Sequence, residues 1–218
     1  MEDTEPPELS VSDALHLAKG LAREMRESKE LCNYVLERLE SLASALKTPA
    51  NAVADDSHKL LADALDLFVR FLKRFSDKKL LQRIAASSAI RREVRELHEQ
   101  INVVFTAAGL TNVQEMIEWE QHEARGTADQ RDELKKVARK RNNLTSDVSG
   151  ATLDEALTEI KFEIDYYKDD EDITAFLQEV LQSVVELKQI AAPPRAPVWF
   201  IRRDAVEIGR ILDYGCFG

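Results

Sequence analysis

Two cysteines, six prolines and seven glycines in 218 residues leave this chain short of the material that builds disulfide scaffolds, extended repeats or turn-rich β-structure. Cys32 and Cys216 form neither a disulfide framework nor a metal-binding spacing, which points to a reducing compartment. Alternating runs of β-branched and polar residues are nearly missing, so helix is the expected architecture. No stretch of roughly eighteen apolar residues occurs. Residues 1–7 carry acids and prolines where a secretion signal has an apolar core, so a cytoplasmic protein is expected. Basic residues are the minority: 30 Lys and Arg against 40 Asp and Glu give a formal charge of -10. That balance argues against a general nucleic-acid binder, because phosphate neutralisation needs a surplus of cations. His16, His58, His98 and His122 are scattered one to a helix, and no glycine-flanked serine occurs. Neither a catalytic nor a metal constellation is implied, nor any cofactor.

What the chain has is helical periodicity. After a lead over residues 1–12, Ser12 or Asp13 can cap a helix carrying Ala18, Leu21, Met25, Cys32, Val35, Leu39, Leu42 and Leu46 on one stripe, with Ser28 its only polar member. Such a stripe suits a bundle helix, with a dimeric coiled coil as the alternative. Thr48-Pro49 ends it. A second helix from Asp56 or Ser57 aligns Leu61, Ala64, Leu65, Phe68, Phe71, Leu72 and Phe75, an aromatic face read as core. A third carries Ile90, Val94, Leu97, Ile101, Val104 and Ala108, with Gly109 as a left-handed C-cap. Val113, Met116, Ile117 and Trp119 start a fourth pattern that fades after Glu120, and Gly126-Thr127 reads as an interruption. Residues 13–125 are therefore expected to form a four-helix up-and-down bundle in an all-α protein. Residues 126–150, anchored by Leu134, Val137 and Ala138, read as a polar connector, either a surface helix or a linker. Leu153, Leu157, Ile160, Ile164 and Tyr167, then Ile173, Phe176, Leu177, Val180, Leu181, Val184, Leu187 and Ile190, form a helical hairpin or brace over residues 151–192. Prolines 193, 194 and 197 open a short extended tail over residues 193–218.

Residues 71–110 concentrate both packing and charge. Lys73, Arg74, Lys78, Lys79, Arg83, Arg91, Arg92 and Arg95 stand against only Asp77 and Glu93, giving an acidic protein one basic flank. Lys73, Lys78, Lys79, Arg91, Arg92 and Arg95 are the candidate contact residues for an acidic protein segment or an anionic membrane surface. A second run, Lys135, Lys136, Arg139, Lys140 and Arg141, has the composition of an import signal or a solvated face. The acidic hairpin could mask the first flank from within the chain.

Trp199-Phe200-Ile201, Asp204, Val206-Glu207 and Ile211 precede Gly215-Cys216-Phe217-Gly218 in the order in which tyrosine-kinase-like protein kinases open their first strand and glycine-rich loop. Phe75-Ser76, Arg83, Ala86-Ser87 and Leu97 within residues 32–110 resemble the bundle shared by mixed-lineage-kinase-domain-like pseudokinases and the N-terminal domain of Cbl adaptors. The chain thus resembles the N-terminal region of a tyrosine-kinase-like serine/threonine kinase. The resemblance implies a nucleotide-loop role for Gly215 and Gly218, with Asp213 where the first loop glycine would be. It implies no catalysis from this chain, because the strand lysine and the catalytic and metal-binding aspartates have no positions in it. It also implies a signalling module that holds protein partners or regulates an adjacent kinase domain, in monomeric or oligomeric form. The alternative it carries is a membrane-associating bundle peripheral to an anionic surface.

Overall fold

The computed structural model describes residues 10–47, 55–110, 113–140, 142–146, 148–166, 171–191 and 200. Among them the secondary structure is entirely helical. Helix α1 (Val11–Arg23) starts at Ser10, whose Oγ accepts the Asp13 N–H at 3.2 Å, so the cap lies ahead of Ser12 and Asp13. The stripe expected to run unbroken to Leu46 is cut. Arg26 takes φ +48, a 3-10 turn occupies Arg26–Ser28, and α2 (Lys29–Leu46) begins anew. The polar member Ser28 marks the break, and the two halves fold against one another. Ala18, Met25, Cys32, Val35, Leu39, Leu42 and Leu46 are all buried, but within one chain. A continuous seam for a dimeric coiled coil is therefore missing between Ala18 and Leu46.

Helix α3 (Asp55–Phe75) buries Phe68, Phe71 and Phe75, with the last two rings 5.2 Å apart. A six-residue helix, α4 (Leu80–Ala85), separates it from α5 (Ser87–Ala107). Gly109 closes α5 at φ +66, and the Leu110 N–H returns to the Phe105 carbonyl at 2.9 Å, the expected left-handed cap. Helices α1, α2, α3 and α5 enclose the first core, in the order α1, α2, α5, α3 around the bundle. The small buried residues Ala14, Ala18 and Ala22 on α1 permit close approach to α3 and α2.

Helix α6 (Val113–Ala138) passes through Gly126 and Thr127, which corrects the interruption read there and makes the first part of the connector a helix. Gly126 is there for proximity. A Cβ at that position would lie 2.8 Å from Leu31 Cδ2, so the missing side chain lets α6 lie close on α2. Among the described residues three more helices follow: α7 (Asn142–Thr145), α8 (Gly150–Tyr166) and α9 (Glu171–Lys188). They pack with Leu134 and Ala138 of α6 and with Leu80, Leu81, Ile84 and Ala85 of α4 into a second core. A helix threaded between two first-core helices thus belongs to the second. Leu187, read as part of the apolar face of α9, is 41% exposed, and Tyr167 and the acidic turn at residues 168–170 lie outside the described residues.

Candidate functional site: polar junctions between helices

The basic flank is distributed among different tasks. Lys73 and Lys79 are exposed, while Lys78 is half-buried with its ammonium 5.4 Å from the Phe75 ring centroid. Arg92 is exposed and stands 4.0 Å from Glu96. Arg74 reaches Glu93 at 3.2 Å, which sets the last turn of α3 beside α5. Arg91 and Arg95 turn toward α6. The first donates to Ser88 Oγ at 3.1 Å and Gln130 Oε1 at 3.4 Å, and the second to Glu123 at 2.9 Å. Arg83, read as an outward cation, is instead 6% exposed and forms a two-pronged ion pair with Glu27, at 2.7 and 2.8 Å. Its third nitrogen, Nη1, donates to the Lys78 carbonyl at 2.7 Å. Gly215 and Gly218 lie outside the described residues.

The junction around the α1–α2 break is the densest polar feature, and sequence reading missed it. Ser28 accepts from Gln130 Nε2 at 2.6 Å, and Gln130 in turn accepts from Arg91. Ser28, Gln130 and Ser88 are all buried. Together with Arg83–Glu27, this relay connects the break, α4, the start of α5 and the middle of α6. Low local dielectric strengthens such bonds and penalises the loss of any partner. The available signal was Ser28 itself, the one polar residue on an apolar stripe.

A second junction joins α2, α5 and α6. Buried Arg38 donates to Asn102 Oδ1 at 2.6 Å and meets His98 Nδ1 at 3.0 Å. A guanidinium only donates, so Nδ1 must be the unprotonated nitrogen of a neutral imidazole. Burial first, and the Arg38 charge second, lower the His98 pKa to about 3. Trp119 stacks on His98 at 5.1 Å, and Tyr34 lies between His98 and His122, 4.3 Å from the latter. A cleft of about 230 Å3 opens beside Tyr34 and Gly126. A third junction pairs Asp172 of α9 with Arg131 and Lys135 of α6 at 2.9 and 2.8 Å. Hydrogen bonding from Lys135, and then the cationic charges, hold the Asp172 carboxyl below its usual range.

Chemically, these groups link helices. Burial raises the Cys32 thiol pKa far above its ordinary value, which keeps the sulfur protonated and poorly nucleophilic. Among the described residues no three His, Cys, Asp or Glu side chains gather to hold a metal ion, and no helix is long and apolar enough to cross a membrane. Comparison with protein-family models, curated proteins and solved structures gave no match to this chain.

Proposed function

We propose that this chain is a signalling module, the regulatory helical region of a tyrosine-kinase-like protein kinase, which holds protein partners or restrains a catalytic domain attached beyond residue 218. The observation that carries this reading is the contact of Phe162 on α8 with Phe200, their ring centroids 5.5 Å apart. Phe200 belongs to the piece that resembles the opening kinase strand. On α8, Leu157 and Ile160 are buried in the second core with α4, so a force on Phe200 has a packed route into the bundle.

Charge supports protein interaction over membrane attachment. With Arg74, Arg83 and Arg91 drawn inward by neighbours, Lys73, Lys79, Arg92 and Arg95 are the exposed cations of the flank, and the two arginines already face Glu96 and Glu123. At about 1 kcal/mol for each cation near an anionic surface, and less for the two already paired, these provide a weak anchor. The test is a protein in which a tyrosine-kinase-like catalytic domain continues beyond Gly218. Phosphotransfer should change about fivefold or more when Phe162→Ala is introduced, the lower end of ordinary allosteric coupling. Equal rates with and without the substitution would refute regulation through α8. Sedimentation of the chain with liposomes only when anionic lipid is present would instead favour the membrane reading.

A further inference from the structure

The groove between α6, α7 and α9 encloses about 350 Å3, with Lys135, Arg139, Asp172, Glu179 and Ser183 among the groups lining it. Two of these can take part in binding without breaking a contact that holds the helices together. Ser183 presents its hydroxyl on the groove wall, and Arg139 is exposed at the groove rim with no ion pair among the described residues. Arg131, Lys135 and Arg139 recur every fourth residue and so share one stripe of α6. The first two already bind an oxyanion, the Asp172 carboxylate, which accepts from Arg131 at 2.9 Å and from Lys135 Nζ at 2.8 and 3.0 Å. That carboxylate belongs to the chain itself, is more than half exposed, and sits in the first turn of α9.

The charge balance of the groove decides how a ligand could enter. Lys135 and Arg139 are matched by Asp172 and Glu179, so an added anion gains little while Asp172 stays in place. If Asp172 swings out, the cations face Glu179 alone, and an anion of higher charge than a carboxylate is favoured over the group it replaces. Leu144, Phe176 and Val180 add apolar wall that a bare inorganic ion would leave uncovered. We propose that the groove binds a phosphomonoester, which exchanges with the Asp172 carboxylate on Lys135, recruits Arg139 and Ser183 as further donors, and lays its carbon portion on that apolar wall.

The experiment is isothermal titration of the full chain with a phosphoserine peptide and, in parallel, with inorganic phosphate, at fixed ionic strength. The peptide should bind saturably and more tightly than inorganic phosphate. Asp172→Asn, which removes the internal competitor at an exposed position, should tighten binding about tenfold, and Arg139→Gln should weaken it by a similar factor. Ser183→Ala should weaken it by a smaller factor, with circular dichroism melts confirming that each variant is folded. The proposal is overturned if neither the native chain nor Asp172→Asn binds the peptide. It is also overturned if Asp172→Asn binds no tighter than the native chain, if Arg139→Gln binds equally well, or if the peptide binds no better than inorganic phosphate.

Discussion

Phe68, Phe71 and Phe75 fill the middle of the first core, whereas among the described residues the second core buries no aromatic side chain and relies on Leu81, Ile84, Leu144, Leu157 and Ile160. The first draws on four helices of thirteen to twenty-one residues, each with a broad apolar face. The second is assembled from a six-residue helix, a four-residue helix, two residues near the end of α6 and the α8–α9 pair. The buried polar groups on their helices also differ in kind, with Glu159 and Glu163 on α8 against Arg38 on α2 and His98 on α5. Long amphipathic helices can line up bulky rings along one face, while a core of fragments gathers aliphatic side chains from many short elements.

The largest effect expected is from Phe71→Ala, which should lower unfolding stability by about 3–5 kcal/mol, since a fully buried aromatic side chain is lost and a cavity remains. Chemical denaturation should show the shift. Close behind, Glu27→Ala strands Arg83 inside the junction and should destabilise by roughly 3–5 kcal/mol, the range for breaking a buried pair from one side. Leu157→Ala removes a smaller side chain from the second core and should lower stability by about 2–5 kcal/mol. Because Arg83–Glu27 and α6 join the cores, all three variants should move a single transition. Two separable transitions would show that the cores are independent. Gly126→Ala sets overpacking against Leu31 of about 1–3 kcal/mol against about 1 kcal/mol of gained helix propensity, so a small net loss is expected, and a neutral or stabilising result would show that Leu31 turns aside or α6 backs away from α2.

The most local effect is on pH dependence. His98 is held neutral down to about pH 3, whereas the unfolded imidazole protonates near 6.5. Between those values the unfolded chain binds the extra proton, so this contribution is fully present above pH 6.5 and is lost progressively as the pH falls toward 3. Denaturation at a series of pH values should give a shallower slope for His98→Gln than for the native chain over that window. Identical slopes would mean that His98 titrates normally and that Arg38 does not face it.

The first core was largely legible because periodicity reports a face. The stripes on α3 and α5 and the Gly109 cap stand where spacing and glycine chemistry put them. The break at Arg26–Ser28 was not legible as a break, because Met25 and Cys32 keep the stripe in phase on either side of it. Gly126 misled for a different reason. Glycine disfavours helix locally by about 1 kcal/mol, but close packing on Leu31 selects it in the middle of α6. The charge flank is only in part an outward surface, because composition says nothing about whether an arginine points to water or to a carboxylate from another helix. Arg83 and Glu27 are 56 residues apart, beyond the reach of any local pattern.

Placing α4 in the second core also sets a timetable. Ile84 emerges from the ribosome about 69 residues ahead of Leu153, the first buried residue of α8, which corresponds to about 3–14 s of synthesis at ordinary rates. During that interval the first bundle can close while Leu80, Leu81 and Ile84 still wait for their neighbours. The nascent chain therefore carries a sticky apolar edge flanked by Lys78 and Lys79, and this is the segment at which a chaperone would find the unfinished protein.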